Sequence, residues 1–307
     1  MLSLFLFMGY DTIIIGGGPA GITAAIYAKR YNMKVLLIAK ELGGYVNEAP
    51  EVDNYPGFKQ ISGMELVENF KKHIDYLNVE ILNENAVNVK KCEKGFCVQT
   101  SSNKDFIAKT LIVAMGTERR KLNVSGEDKF LGRGVSYCAT CDGAFFKNKI
   151  VAVVGGGDSA AKAAMMLSEH ASKVYIFVRG SSMIAEPANQ EILKSNSKIE
   201  IIFNTSIKEI CGEKIVSCVE LTNGKKIDLQ GIFVEAGSVP SVSILKELNL
   251  ETDKSGYVAV DKGMRTNIPG VYAAGDIVNG ELKQIITSCG QGATAAHSAY
   301  NFLKENA

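Results

Sequence analysis

The sequence predicts an α/β fold built on two Rossmann-like nucleotide-binding units. Two glycine-rich turns carry that prediction, Gly16-Gly17-Gly18-Pro19-Ala20-Gly21 and Gly155-Gly156-Gly157-Asp158-Ser159-Ala160. Each follows a short apolar run and opens a helical pattern, the order that a βαβ unit requires. A third observation concerns chemistry. Cys138 and Cys141 are separated by two residues, with Asp142 directly behind them, and the group stands just ahead of the second turn.

The elements follow in order. Tyr10–Ile15 is an apolar run ending in glycines, as a buried parallel strand should be. Residues 20–31 form a small-residue helix and Val35–Ile38 the next strand. Residues 64–76 alternate at helical spacing. Short stretches of strand character fill 79–108, and 110–114 is another buried strand ending near Gly116. The pattern then repeats, with a strand at Ile150–Val154, a helix at Asp158–His170 and a strand at 174–178. The turns open at residues 16 and 155, a spacing too wide for a solenoid repeat and suited to a duplicated domain. Strand-like pieces continue to Glu235, a loop with Gly237 and Pro240 follows, and 270–274 is a last strand before Asp276. A terminal helix covers 286–303.

Composition narrows the function classes. The 307 residues are 46% hydrophobic and 22% charged, with 34 Lys+Arg against 33 Asp+Glu, a net charge of +1. That suits a soluble globular chain of two domains, and no charge bias points to nucleic acid or an anionic membrane. Residues 2–8 are apolar but too short to span a bilayer and lack a basic flank. They are expected to be a short extension, with Met8 the natural start. Seven cysteines, an odd and scattered set, argue for a reducing compartment, the cytoplasm, rather than a secreted disulfide scaffold.

In the first turn, Gly16 permits the tight bend, Gly18 lets the backbone approach a pyrophosphate and Gly21 lets helix and strand pack closely. The helix start, with Pro19 and Ala20, offers N–H groups to phosphate. The acid that would hold a ribose is Glu41, just past the second strand, where a solvated loop glutamate is the alternative. The second turn has Gly155 and Gly157, with Ala160 replacing the third glycine, and Asp158 and Ser159 at the helix start. Its strand ends at Val178, Arg179 and Gly180, with no acid for a 2′-hydroxyl. Arg179 is the candidate for a 2′-phosphate, a solvated arginine being the alternative.

The Cys138/Cys141 pair is read as a redox dithiol. A structural zinc would need two further ligands, and the remaining cysteines and three histidines offer no second pair, so no metal is expected. A disulfide accepts two electrons through attack by a thiolate, and Asp142 can move the accompanying proton. Cys92, Cys97, Cys211 and Cys218 lie in strand-like segments and read as small core residues. Cys289 reads as packing.

Together these motifs closely resemble low-molecular-weight thioredoxin reductases, over about residues 10–303. Asn54-Tyr55-Pro56-Gly57, Gly270-Val271-Tyr272-Ala273-Ala274-Gly275-Asp276 and Gln284-Ile285-Ile286-Thr287-Ser288 complete the set. Glutathione-reductase-like enzymes differ in carrying a wider-spaced cysteine pair in the first domain. The resemblance implies a three-layer ββα FAD domain split in sequence, residues 1–119 and 246–307, around a nicotinamide domain at 120–245 that carries the dithiol. It places FAD against Gly16, Gly18, Pro19, Ala20, Gly21, Glu41, Gly44, Tyr45, Asn54, Gly116, Asp276, Lys283, Gln284 and Ile285. It places the nicotinamide nucleotide against Gly155, Gly157, Asp158, Ser159, Ala160, Arg179 and Gly237, with hinges near 117–121 and 237–240.

By the same likeness Cys141 faces the flavin, Cys138 attacks the disulfide of thioredoxin or a similar redoxin, and the enzyme is a homodimer. The sequence departs from the family at the NADPH site. His-Arg-Arg-x-x-x-Arg is replaced by Val178-Arg179-Gly180-Ser181-Ser182-Met183-Ile184, which removes two guanidiniums. Tyr45, Met115 and Lys283 replace Gln, Thr and Arg beside the flavin. The electron donor is therefore open between NADPH, NADH and a reduced protein such as ferredoxin. A non-catalytic flavoprotein redox sensor is the alternative class.

Overall fold

Side chains of a strand alternate between faces, so a strand apolar at every position must be covered on both sides. Both halves of this protein meet that requirement in the same way. The computed structural model describes residues 9–49 and 51–306, and the expectation about residues 2–8 lies outside them. The described chain forms two compact units: one runs to Glu118 and resumes at Val239, and the other is Arg119–Ser238.

The first unit is a sheet of β1 (Tyr10–Ile15), β2 (Val35–Ile38), β3 (Glu80–Leu82), β4 (Ala86–Cys92), β5 (Gly95–Thr100), β6 (Asp105–Val113) and β17 (Val271–Ala273). Its strand order is β3-β2-β1-β6-β5-β4, with β17 also on β6. β1, β2, β3 and β17 join in parallel, whereas β4, β5 and β6 form an antiparallel meander. β6 serves two partners along one edge. Its start pairs β5 through Asp105 to Ala108, and its end pairs β17 through Leu111 to Val113. The sheet therefore splits there into two layers.

Alternation assigns the faces. Ile14, Leu37, Ile112 and Tyr272 pack on helices α1 (Pro19–Arg30) and α6 (Ile285–Glu305) through Ala24, Ala25, Ala28, Ala295, Ala296 and Ala299. Their neighbours Ile13, Ile15, Leu36, Ile38, Leu111 and Val113 pack on Val89, Phe96 and Val98 of the meander. Alanines along both helices permit close approach. At the contact, a Cβ on Gly292 would stand 2.1 Å from the Ala20 carbonyl oxygen. Helix α2 (Gly63–Tyr76) is capped by Ser62, whose hydroxyl accepts from Glu65 N–H.

The second unit repeats the plan with a sheet that is parallel throughout. It holds β8 (Val135–Ser136), β9 (Ile150–Val154), β10 (Lys173–Phe177), β11 (Ile199–Ile202) and β15 (Gly231–Val234), in the order β11-β10-β9-β15-β8. Val151, Val153, Val174, Ile176 and Phe233 meet helix α4 (Asp158–His170). Ala152, Val154, Ile232 and Val234 meet a small antiparallel sheet of β12 (Ile207–Gly212), β13 (Val216–Leu221) and β14 (Lys226–Asp228). Helix α5 (Pro187–Ser195) was not foreseen from the sequence.

The return to the first unit comes earlier than the sequence-drawn boundary at 246. The short 3-10 helix Ser243–Leu248 buries Leu245 and Leu248 beside Val89 and Phe96, which ties it to the first unit's core. The two connecting segments, β7 (Thr117–Arg119) and β16 (Ser238–Pro240), pair as a two-stranded ribbon.

Candidate redox and nucleotide sites

The dithiol sits on a very short helix, α3 (Ala139–Asp142), with Cys138 as its N-cap residue. Cys138 and Cys141 are joined as a disulfide with Cα atoms 5.3 Å apart, within the range such a bond demands. Cys141 N–H donates to Cys138 Sγ at 3.1 Å, and Asp142 N–H to the Cys138 carbonyl at 3.2 Å. Cys138 is half-buried and Cys141 exposed. Asp142 thus directly follows the bridge, its backbone tied to Cys138 itself.

The mount of the dithiol includes a residue that motif reading missed. Glu127 is only 3% exposed, and its carboxylate accepts from Leu122 N–H (2.8 Å), Asn123 N–H (2.7 Å) and the Tyr137 hydroxyl (2.5 Å). Tyr137 immediately precedes Cys138. Burial and the Glu127 charge push the tyrosine hydroxyl's pKa well up, so it remains a donor. Ser136 adds a second tie, since its hydroxyl accepts from Cys138 N–H at 3.0 Å. The sequence signal was present in an acid ten residues ahead of a tyrosine, but only the fold brings the two together.

The first glycine turn has the form of a phosphate cradle. Gly16 holds φ +114°, and a Cβ there would come 2.2 Å from the Ala114 carbonyl oxygen. A Cβ on Gly21 would strike the Gly16 carbonyl oxygen, whereas one on Gly18, the N-cap of α1, meets nothing within 4 Å. Two glycines are thus required by packing, and the third faces open space where a ligand's backbone contact belongs. Gly44 lies beside it, its own Cβ position 3.8 Å from Gly18 Cα. Pro19 is the first helical residue and Ala20 is buried against α6. Glu41 and Tyr45 are exposed on the loop beyond β2, and Gly116, at φ +66°, has open space around it.

The far end of the same unit brings its remaining candidates together. Asp276 follows β17; burial raises its carboxyl above the usual range, against the opposing pull of Lys283 and Ser288. Lys283 donates to the carbonyls of Asp276 (3.1 Å) and Val278, stands 4.2 Å from the Tyr257 ring centroid, and has its pKa lowered by burial. Its ammonium thus holds the turn after β17. Gln284 caps α6 reciprocally with Thr287 and accepts from Asn54 Nδ2 at 3.2 Å, while Ile285 opens the helix. Cys289 is buried, as expected of a packing residue, and accepts from the Tyr55 hydroxyl at 3.8 Å.

In the second turn Gly155 holds φ +153°, and a Cβ would meet the Glu235 carbonyl oxygen at 2.2 Å. Ala160 is fully buried beneath it and Ser159 is exposed. Asp158 has structural partners: its Oδ1 accepts from Glu186 N–H and Asn189 Nδ2, both at 2.8 Å, tying α4 to α5. Gly237, at φ +88°, accepts from Arg120 N–H. At the mouth Arg179 is exposed, and Ile184, 85% exposed, stands 4.0 Å from the Cβ position of Gly157. A bare aliphatic side chain therefore overlooks the helix start.

Of the other four cysteines Cys218 is buried, as a core residue should be, whereas Cys92, Cys97 and Cys211 are only half-buried, which corrects the reading that all four are small core residues. Cys211 and Cys218 are joined as a disulfide across β12 and β13, while Cys92 and Cys97 are half-buried free thiols on the β4–β5 hairpin. Among the described residues no helix is long and apolar enough to cross a membrane.

Known proteins share this arrangement. The sequence profile of the family described as "Pyridine nucleotide-disulphide oxidoreductase" matches residues 10–292. The thioredoxin reductase of Listeria innocua is 38% identical over 304 residues, 96% of this chain and 94% of that one. The solved thioredoxin reductase of Lactococcus lactis superposes with a TM-score of 0.92 at 37% identity, covering 96% of this chain and 99% of that one. A ferredoxin-flavin thioredoxin reductase from Clostridium acetobutylicum gives 0.54 at 37% identity, covering 97% and 99%. With two glycine turns, a bonded Cys138–Cys141 pair and likeness over nearly its whole length, the chain belongs to the pyridine nucleotide-disulphide oxidoreductase family, among the low-molecular-weight thioredoxin reductases.

Proposed function

We infer that the protein is a flavin-dependent disulfide reductase that uses the Cys138–Cys141 pair to reduce thioredoxin or a similar small redoxin. The observation that carries this is the bonded Cys138–Cys141 pair beside Asp142, in the unit that also holds the second glycine turn.

FAD fits the first unit, whose turn leaves space at Gly18 and Gly116 and whose carboxyl-terminal end presents Asp276, Gln284 and Ile285. Bound there, FAD supplies a two-electron relay between a hydride donor and a disulfide. The chain's residues do the rest. Gly16 to Gly21 would hold the pyrophosphate of FAD, and Asn54, Tyr45 and the start of α6 would line its ring. Cys141 receives the electrons, and Cys138, freed as a thiolate, attacks the redoxin disulfide. Asp142 takes and returns the proton that each sulfur exchanges. Glu127 and Tyr137 hold Cys138 in place. Replacing Cys138 with Ser is expected to abolish redoxin turnover, a loss on the order of 10³-fold or more for one member of a two-sulfur unit. Undiminished turnover would overturn the assignment.

The donor is a reduced nicotinamide held by Gly155, Gly157, Ser159, Ala160 and Gly237. A single exposed Arg179, with Ile184 across the mouth, gives a 2′-phosphate little to grip, so NADPH and NADH are expected to serve with a much weaker preference than in relatives with three arginines. The same mouth, together with the likeness to the Clostridium protein, gives reduced ferredoxin as the second reading. Anaerobic flavin bleaching with NADPH, NADH and reduced ferredoxin in parallel separates the three. A strong NADPH preference that survives Arg179→Ala would contradict this account of the mouth. Family likeness adds a homodimer, which sedimentation checks, and a cytoplasmic setting.

A further inference from the structure

Five of the seven cysteines lie outside the Cys138–Cys141 centre. Two of them, Cys211 on β12 and Cys218 on β13, face each other across an antiparallel pair and are bonded, with Cα atoms 5.1 Å apart. Their surroundings are unlike a buried staple. Cys211 is partly exposed, whereas Cys218 is 5% exposed. The strand pairing slips directly after Cys211, at Gly212, whose φ is +159°. The hairpin then opens a surface concavity lined by Glu213, Lys214, Ile215 and Ser217, with Ile215 61% exposed. A partly exposed cysteine next to an open hollow gives an incoming thiol protein a place to approach.

The bond is also a weak structural device. It links residues only seven apart, and a short loop gains least from closure. The sheet is held without it, by the pairing of β12 with β13 and β13 with β14 and by buried Ile207, Ile210, Val216, Val219, Leu221 and Ile227.

We propose that Cys211–Cys218 is a second redox site of this protein, opened by a small dithiol protein of the kind that its main centre reduces. The proposal rests on the disulfide-reductase reading, because that activity supplies the dithiol. A thiolate of the dithiol protein attacks Sγ of Cys211, the more exposed of the two cysteines, forming a mixed disulfide and breaking the Cys211–Cys218 bond. Cys218 leaves as a thiolate and takes up a proton. The Ser217 hydroxyl, 3.8 Å from Cys218 Sγ, is placed to donate to it. The second thiol of the dithiol protein then attacks the mixed disulfide, releasing Cys211 as a thiol. Two electrons and two protons pass to the pair, and the donor departs as a disulfide. The site thereby equilibrates with the product pool and registers its ratio of dithiol to disulfide.

The test uses holoprotein carrying Cys138→Ser and Cys141→Ser, so that exchange at the main centre is silent. It is mixed with a thioredoxin that has been reduced with dithiothreitol and desalted. After an acid quench, thiols are alkylated and the peptides with Cys211 and Cys218 are weighed. Both cysteines are expected to be protected before mixing and alkylated after it. A thioredoxin lacking its second cysteine is expected to be captured on Cys211. Cysteines already free before mixing, a bridge that yields to a phosphine but not to reduced thioredoxin, or capture confined to Cys218 would each overturn the proposal. Because the electrons are supplied chemically, the assay does not depend on flavin, nicotinamide or the main dithiol. Turnover of the unmodified protein, measured alongside, reports separately on the disulfide-reductase reading.

Discussion

The two glycine turns share a backbone and differ in what surrounds them. Gly16 and Gly155 both hold positive φ with a carbonyl oxygen 2.2 Å from their missing Cβ. Around the first, the chain's far end delivers Asp276, Lys283, Gln284 and Ile285, several of them buried or engaged with one another. Around the second, β10 is followed by an exposed arginine and a glycine, and an exposed isoleucine stands beside the helix start. The glycines thus make a nucleotide turn possible, and the side chains at the strand ends decide which nucleotide it suits.

Placing alanine in both turns should give the largest effects. Gly16→Ala forces a Cβ onto the Ala114 carbonyl in a backbone region that is strained for any side chain, at a cost of about 1–3 kcal/mol before the clash is counted. Loss of bound flavin is expected, read from the flavin-to-protein ratio. Gly155→Ala should leave that ratio intact and abolish bleaching by nicotinamides. If both variants lose flavin, the two turns are not independent and the comparison fails.

Next in size is the mount of the dithiol. Glu127→Gln removes a buried charge that accepts three hydrogen bonds, and about 1–3 kcal/mol of stability should go with it, measured by urea unfolding of the holoprotein. Tyr137→Phe, which leaves the two backbone donors in place, should cost less, about 0.5–1.5 kcal/mol. Redoxin turnover in both variants should fall further than flavin bleaching does. Equal falls would reduce Glu127 to a general stabiliser.

Ile184→Arg addresses the mouth of the second turn. A guanidinium there should strengthen NADPH binding relative to NADH by about 1.5 kcal/mol, roughly tenfold in the ratio of KM values. No change would mean that the nucleotide's ribose lies elsewhere.

The smallest effect contrasts the thiols. Burial, with Cys92 beside it, pushes the Cys97 thiol up to about 12, so at pH 8 it stays protonated. Its alkylation should be slow and should accelerate as pH rises toward that value, whereas Cys138, once reduced, should react readily at pH 8.

Much of the fold could be read from the chain because its signals are local. Apolar runs of strand length, glycines at fixed offsets and small-residue helices place β1, α1, β9 and α4 within a residue or so of their observed ends. Helix α5 escaped because Pro187–Ser195 buries only Leu193, which leaves almost no apolar stripe to detect. The return to the first unit was drawn late because Ser243–Leu248 declares its allegiance only by packing against distant Val89 and Phe96. At the site, cysteine spacing sufficed for Cys138 and Cys141, three residues apart. Cys211 and Cys218 required the hairpin register, bulge included, and Glu127 required the fold to deliver it to Tyr137.

The sharing of β6 between β5 and β17, with α1 lying on α6, bears on how the molecule is born. The inner unit is one continuous stretch, and all of its strands are synthesised before the outer unit's last strand and helix. Because domains complete themselves as units during synthesis, the portion bearing the sulfurs of both bonded pairs should acquire its shape first. The early strands of the other portion wait, one edge of β6 bare, until translation supplies their closing piece.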